Sequence, residues 1–169
     1  MATIQRFEDL EVWKESRELN KILLPVIKIL SSNHEYGLMN QLRNAAGSVM
    51  DNIAEGFDRG SRKEFVQFLG YSRGSKGEVK SQLYRVLDSD YISKNEFDKF
   101  YNVADSIGKM LNSLISYLNK SEIKGERFKN SVSEPTEFYG QKSEEDDLRE
   151  LLSNFTAEQS TSEEQNRKL

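Results

Sequence analysis

The sequence predicts an all-α protein, an antiparallel up-down-up-down four-helix bundle followed by a disordered acidic tail. Apolar residues recur at the three-and-four spacing of a helix face in four consecutive segments, which are joined by short connections. Few segments alternate with period two, so little or no sheet is expected. After residue 122 the apolar pattern fades, and Ser, Glu, Gln and Asn dominate, as in unfolded chains. We therefore divide the chain into a bundle (1–122) and an acidic tail (123–169).

The first two helices are predicted over residues 7–30 and 35–56. Pro25 interrupts the first, and a proline in a helix interior costs about 3 kcal/mol because it lacks the N–H and crowds the preceding turn. Because the apolar phase continues past Pro25, we favour one kinked helix over two helices broken there. Gly56 is the predicted end of the second helix, since glycine accepts the left-handed conformation.

The third and fourth helices each begin at a predicted capping box, in which a Ser and a Glu three residues later bond each other's backbone N–H. Ser61 and Glu64 mark the first start, and Ser93 and Glu96 the second. The fourth helix has the most regular apolar pattern, which needs partner helices on one side. Two series spaced by seven interleave along it: Phe97, Ala104, Leu111 and Leu118, and Phe100, Ile107 and Leu114.

Composition narrows the classes of function. The absence of Cys excludes disulfides and thiolate metal sites and suits a reducing cytoplasm. No apolar run approaches the roughly 20 residues of a membrane span, and no GxxxxGK or HExxH motif occurs. The single His, His34, lies outside the four predicted helices, so no His-containing metal site in a bundle core is expected. We expect no enzyme activity, catalytic residue, metal ion or cofactor.

Positive charge on the third helix is the strongest functional signal. Residues 59–85 hold seven Lys/Arg against two Glu, although the whole chain carries a formal net charge of −4 because its tail is acidic. Helical spacing puts several cations in one row beside the apolar face, where they could follow phosphates with little sequence selectivity. The alternative is ordinary charge whose aliphatic stems cover a seam between helices. The expected nucleic-acid contacts are Arg43, Arg59, Arg62, Arg73, Lys76 and Lys80.

Three glycines, Gly70, Gly74 and Gly77, fall on one side of the third helix. Each costs about 1 kcal/mol relative to Ala in a helix interior. We therefore expect another backbone to approach closely there, either from a neighbouring helix or from a second copy of the chain. The alternative is a locally weak helix that bends near Gly74.

One amphipathic pattern lies in the tail. Four acidic residues at 144–147 precede apolar residues spaced i, i+3, i+4 and i+7, which predicts a short helix near 144–156. Such a segment is typical of a sequence that folds on a protein partner. A frayed helix without a partner, or docking on the basic face of its own bundle, are the alternatives. The predicted partner-binding residues are Leu148, Leu151, Leu152 and Phe155.

An ordered series of short strings occurs over about residues 7–120. The strings are FEDLEVWK from Phe7, YGL from Tyr36, QLRNAA from Gln41, NIAEG from Asn52, EF from Glu64, FL from Phe68, and GS from Gly74 with Glu78. Together they resemble the small bacterial four-helix bundle proteins associated with intervening sequences of 23S ribosomal RNA. The resemblance implies a bundle that assembles as a homopentameric ring. It also implies kinship with the accessory variability determinant proteins of diversity-generating retroelements, which partner a reverse transcriptase and its RNA. Asn44, where the family has a second Arg, and the acidic tail depart from the pattern.

Two functions are therefore predicted as hypotheses. The first is a non-enzymatic, oligomeric nucleic-acid-binding accessory protein, whose partners would be RNA or DNA and a retroelement reverse transcriptase. The second is a structural or adaptor ring that has no nucleic-acid role and recruits a protein partner through the apolar face of its tail.

Overall fold

A computed structural model describes residues 4–126 and 143–166, and the side chains of residues 4–120 and 143–162. The described residues are helical and contain no strand, which confirms the all-α class. The expected disorder of residues 127–142 and 167–169 falls outside the described residues. The elements are a 3-10 turn (Phe7–Asp9) and the helices α1 (Glu11–Ile22), α2 (Leu24–Ser32), α3 (Tyr36–Asp58), α4 (Arg62–Asp88), α5 (Lys94–Glu126) and α6 (Glu144–Asn166).

The first predicted segment is two helices, not the single kinked helix favoured from the sequence. α1 and α2 are separated only by Leu23. Pro25 lies in the first turn of α2, where its missing N–H breaks no helical hydrogen bond. Leu23 itself keeps right-handed helical dihedral angles, so the apolar positions on both sides of the break stay in phase. The buried residues of this series are Leu19, Leu23, Val26 and Leu30.

The core lies where α1, α3, α4 and α5 pack on one another. α3 contacts α1 and α4, α5 contacts the same two helices, and α2 packs on α3. Both heptad series of α5 are buried, as the sequence predicts. Each of these four helices therefore has two neighbours among them, and α2 lies outside this set.

Only the second predicted capping box forms. The Ser93 N–H donates to Oε2 of Glu96 at 2.8 Å, and the Glu96 N–H donates to Oγ of Ser93 at 3.3 Å. At the start of α4 the Ser61 side chain makes no cap hydrogen bond. Glu64, its predicted partner, lies instead 3.8 Å from the guanidinium of Arg59.

Gly56 allows α3 and α4 to approach closely, and it does not end α3 as the sequence predicts. The helix continues to Asp58, and the residue with a left-handed conformation is Gly60, at φ +69°. A Cβ built on Gly56 would lie 2.5 Å from the Cβ of Phe68. Gly56 is therefore a packing residue inside the helix.

The tail forms a helix that is longer than predicted and packs on the rest of the molecule. α6 begins at Glu144, where the N–H of Asp146 donates to Oγ of Ser143 at 3.1 Å, and it contacts α4 and α5. Leu148 and Leu152 are 1% and 0% exposed. The helix expected near 144–156 is present and extends to Asn166, so the expectation of disorder is corrected for residues 157–166. The packing of Leu148 and Leu152 on the other helices is not revealed by composition alone.

Candidate nucleic-acid interface

The structure divides the six predicted cations among three surfaces. Arg73, Lys76 and Lys80 extend along α4 towards α5. Arg59 follows α3, and Arg62 begins α4. The sixth, Arg43, lies on α3 in a groove shared with residues of α1 and α2. The row expected on the third helix, which included Arg62, is therefore reduced to the three cations at the contact between α4 and α5.

Each of these three cations on α4 meets a residue on successive turns of α5. Arg73 Nη1 donates to Oδ1 of Asn112 at 3.2 Å, and Lys80 Nζ donates to Oδ1 of Asp105 at 2.8 Å. Between them Lys76 lies over Gly108, and a Cβ built there would be 2.9 Å from its Nζ. The absence of a side chain at Gly108 thus makes room for the Lys76 stem.

Lys80 is largely enclosed, with 18% of its side chain exposed. Its Nζ also lies 3.9 Å from the ring centroid of Tyr101. Burial opposes the charged form, but the hydrogen bonds to Asp105 and Tyr101 outweigh that effect and raise the pKa of Lys80. Lys80 is therefore held in its charged form within the seam.

Asp105 recruits a fourth cation, Lys109, which the sequence analysis missed. Lys109 Nζ lies 3.3 Å from Oδ2 of Asp105, and its side chain is 80% exposed. Hydrogen bonds from Lys80 and then from Lys109 lower the pKa of Asp105. The i, i+4 spacing of Asp105 and Lys109 was available in the sequence, but nothing in it placed this pair beside α4.

We call Arg73, Lys76, Lys80 and Lys109 the α4–α5 cationic row. The carboxylate that contacts the row among the described residues is Asp105. The four cations and this carboxylate sum to a charge of +3. Lys109 also borders a groove whose lining includes Asp9, Glu11 and Glu15. Positive charge at this density can contact phosphates without reading base sequence.

Aromatic rings adjoin the Lys80 end of the row. The ring of Tyr84 lies 5.9 Å from that of Tyr101 and 4.8 Å from that of Phe97, centroid to centroid. Tyr84 is exposed on the surface. An exposed ring beside cations is suited to stack on a nucleic-acid base.

Arg59 is compensated by its own surroundings. Its Nη2 donates to Oε1 of Glu55 at 2.7 Å, and its guanidinium carbon lies 5.3 Å from the ring centroid of Phe68. The hydrogen bond to Glu55 raises the pKa of Arg59. Arg59 is thus held by Glu55 of α3 and Phe68 of α4. Arg62, at the start of α4, is half-buried. Neither residue has a described contact with the row.

The three glycines of α4 face open space. A Cβ built on Gly70, Gly74 or Gly77 would have no neighbouring atom within 4 Å. The expected close approach by another helix of the same chain is therefore wrong for the described residues. A contact between copies of the chain stays a prediction. Within the chain, glycine serves close packing at Gly56 and Gly108 instead.

The predicted partner-binding face of the tail is turned towards its own chain. Leu148 and Leu152 are buried, and Leu151 and Phe155 are half-buried. The ring of Phe155 packs 5.0 Å from that of Tyr117 on α5. While α6 is docked, these residues cannot offer their full apolar face to a partner, which weakens the hypothesis of recruitment by the tail.

The described residues contain no candidate metal centre and no candidate membrane span. In the part of the chain that the structure describes, no three His, Asp or Glu side chains are grouped so that they could hold a metal ion. No helix within the described ranges is both long and apolar enough to cross a bilayer.

Comparison with known proteins assigns the helical body to a family. The model of the 23S rRNA-intervening sequence protein family matches residues 8–113, which is more than half of the chain. The protein therefore belongs to the 23S rRNA-intervening sequence protein family. The match contains the whole cationic row and Arg43, whereas α6 lies beyond it.

A solved structure shares this fold. It is a protein with unknown function from the S23 ribosomal protein family of Bacteroides thetaiotaomicron VPI-5482, with 23% sequence identity and a TM-score of 0.58. The similarity covers 62% of this chain and 97% of that chain. No curated protein matches.

Proposed function

We propose that this protein is a non-enzymatic, oligomeric nucleic-acid-binding accessory protein of the cytoplasm, and that the α4–α5 cationic row contacts phosphates. The observation that supports the proposal is the excess of four clustered cations over Asp105, the one carboxylate that pairs with them among the described residues. The predicted contacts Arg73, Lys76 and Lys80 are retained, and Lys109 is added. Tyr84 supplies an exposed ring at one end.

Oligomerisation forms the second part of the proposal. The pairwise contacts of α1, α3, α4 and α5 support a four-helix bundle as the protomer. One side of α4 carries Gly70, Gly74 and Gly77. These positions have no side chain that would keep the backbone of a second copy at a distance. A pentameric ring would repeat the cationic row five times, and linked sites bind at high effective concentration. Kinship with the accessory variability determinant proteins suggests a reverse transcriptase and its RNA as partners.

Charge reversal at the exposed members of the row tests the proposal. The binding of a fluorescein-labelled 20-nucleotide RNA, and of DNA of the same sequence, is measured by anisotropy over a range of salt concentrations. For a variant with Arg73→Glu and Lys109→Glu we expect at least about tenfold weaker binding. The slope of log K against log salt should fall by about 1.4, because two phosphate contacts to a single strand are lost.

The matched control changes the same charge elsewhere. Lys14→Glu with Lys99→Glu alters two exposed cations outside the row, and we expect it to retain the affinity and the salt slope. Binding by the row variant that equals the wild type, or an equal loss in row and control variants, would contradict phosphate contact at the row.

A further inference from the structure

A second cationic surface lies at the break between α1 and α2, away from the α4–α5 row. It is a groove of about 480 Å³ between these two helices and α3. Its floor is aliphatic and includes Leu23, Leu24 and Ile27. Four cations line it: Arg17, Lys21, Lys28 and Arg43.

The charge of this groove is largely uncompensated. No carboxylate lines it within the described part of the chain. Lys21 pairs with Glu18 at 3.0 Å, and the guanidinium of Arg17 lies 5.9 Å from the ring centroid of Trp13. Lys28 and Arg43 form no ion pair with any described residue. The two latter cations are therefore available to an acidic ligand.

The floor of the groove distinguishes between classes of acidic ligand. Leu24 is 55% exposed, so this large aliphatic side chain is open to a ligand in the groove. No Phe, Tyr or Trp lines the groove among the described residues, so a nucleic-acid base would find no ring on which to stack. An aliphatic floor with a cationic rim is complementary to an amphipathic helix that carries leucine-like side chains on one face and carboxylates beside it.

The chain itself contains a helix of this type. α6 begins with four consecutive acidic residues and then buries Leu148 and Leu152 against α4 and α5. Because α6 has its own seat, it does not fill the groove beside α2. The groove is thus left open for a helix of similar chemistry from another protein.

We propose that the groove at the α1–α2 break binds an acidic amphipathic helix of a partner protein. Its apolar face rests on Leu24 and Ile27, and its carboxylates pair with Lys28 and Arg43. This reassigns Arg43 from phosphate contact to protein contact. The inference does not depend on nucleic-acid binding, since the two surfaces are formed by different helices.

The test uses the full chain and a labelled synthetic probe. The probe is an 18-residue fluorescein-labelled peptide with Leu at positions 3, 6, 7, 10, 13 and 14 and Glu or Ala elsewhere. A peptide of the same composition with its Leu residues scrambled reports binding through charge alone. We expect the amphipathic peptide to bind at least about tenfold more tightly than the scrambled one.

Two pairs of variants locate the binding. Lys28→Glu with Arg43→Glu should weaken binding of the amphipathic peptide at least about tenfold, whereas Lys14→Glu with Lys99→Glu should leave it unchanged. Leu24→Asn should weaken peptide binding at least about threefold. Ile29→Asn, at another exposed aliphatic residue that lies outside the groove, should leave peptide binding unchanged. All four variants alter exposed or partly exposed side chains, and circular dichroism verifies that the helices remain.

Three outcomes would overturn the inference. One is equal binding of the amphipathic and scrambled peptides, and another is wild-type peptide affinity in the groove variants. The third is a labelled 20-nucleotide RNA that loses affinity in the Lys28→Glu, Arg43→Glu variant while the peptide does not, which would assign the groove to nucleic acid. Loss of RNA binding only in the α4–α5 variants would leave the inference intact.

Discussion

Lys80 of α4 donates a hydrogen bond to Asp105 of α5 at 2.8 Å while its ammonium group rests 3.9 Å from the ring centroid of Tyr101. The aliphatic stem of Lys80 covers the contact between α4 and α5, and Asp105 pairs with its ammonium group within that contact. For this one cation, the alternative of a seam-covering side chain describes the structure well. Phosphate contact then depends more on the exposed Lys109 and Arg73 than on Lys80.

Replacing Lys80 by methionine should lower the free energy of unfolding by about 1 kcal/mol, because an ion pair and a cation–π contact are lost while the stem is kept. Arg73→Met should change it by less than about 0.5 kcal/mol, as is usual at exposed positions. Urea unfolding measures both values, and a double-mutant cycle with Asp105→Asn isolates the pair. A zero coupling energy in that cycle would show that Lys80 and Asp105 do not interact.

Alanine at Gly56 should destabilise the protein by about 1–3 kcal/mol, because its Cβ would overlap that of Phe68 and the helices must move apart. The same substitution at Gly70 meets open space and removes a flexible residue from a helix, so it should stabilise by about 0.5–1 kcal/mol. Thermal unfolding of the two variants measures whether the stability falls in Gly56→Ala and rises in Gly70→Ala. A stabilising Gly56→Ala would refute close packing of α3 on α4.

Alanine substitutions on the glycine face of α4, which Gly70, Gly74 and Gly77 form, should change helix stability and self-association in opposite directions. Gly74→Ala with Gly77→Ala should raise the stability of the protomer, because two flexible residues are removed from a helix. If copies pack on this face, the two added methyl groups should weaken their association at least about tenfold. Sedimentation equilibrium measures the assembly. Unchanged association in this variant would exclude the face as the contact between copies.

The capping box of α5 predicts a specific dependence on pH. Hydrogen bonds from the Ser93 N–H and then from its hydroxyl lower the pKa of Glu96 below its ordinary value of 4.5. The group therefore contributes stability above pH 4.5, and this contribution is lost as the pH falls through the lowered pKa. We expect the wild type to be more stable than Glu96→Gln at pH 7, and the difference to vanish in acid.

Chemical denaturation at a series of pH values measures that difference. Glu78→Gln provides the control, because Glu78 is exposed and has no described capping contact. A Glu96→Gln difference that stays constant from pH 7 to strongly acidic solution would show that the charge of Glu96 does not support the start of α5.

Serine at Leu152 should release α6 from its seat, since the fully buried leucine side chain is lost and a cavity remains in the apolar contact. Limited proteolysis followed by mass spectrometry should show faster cleavage within residues 144–166, while α1 to α5 stay protected. Asn154→Ser, at an exposed position of the same helix, should leave the cleavage rate unchanged. Equal rates in both variants would contradict the docking of α6.

Periodicity was sufficient to predict the helical class and the burial of the α5 heptads. The Ser-x-x-Glu motif predicted the capping box at Ser93 but also one at Ser61, where none forms. It failed where geometry between segments decides the outcome. Leu23 carries the same apolar signal in a kinked helix and in a break between two helices. Gly56 and Gly70 are both glycines inside helices, so the sequence does not distinguish them. The position of Phe68 shows that Gly56 is closely packed, whereas Gly70 faces open space.

The candidate site shows the same limit. A helical wheel places Arg73, Lys76 and Lys80 on one edge of α4, but it contains no information about the residues of α5 opposite. Asp105 and Lys109 could be recognised only once α4 and α5 were packed. Arg43 is a predicted nucleic-acid contact only because it borders the apolar face of the second helix, and charged residues border the apolar face of many helices that bind no nucleic acid.

The N–H of Ile4 donates to Oγ of Ser153 at 3.0 Å, and the Ile4 side chain is buried. The segment around Ile4 therefore reaches its final setting only after about 150 further residues have been synthesised. α6 then packs on that segment and completes its contacts. The docking of α6 should be a late event in folding, after α1 to α5 have assembled.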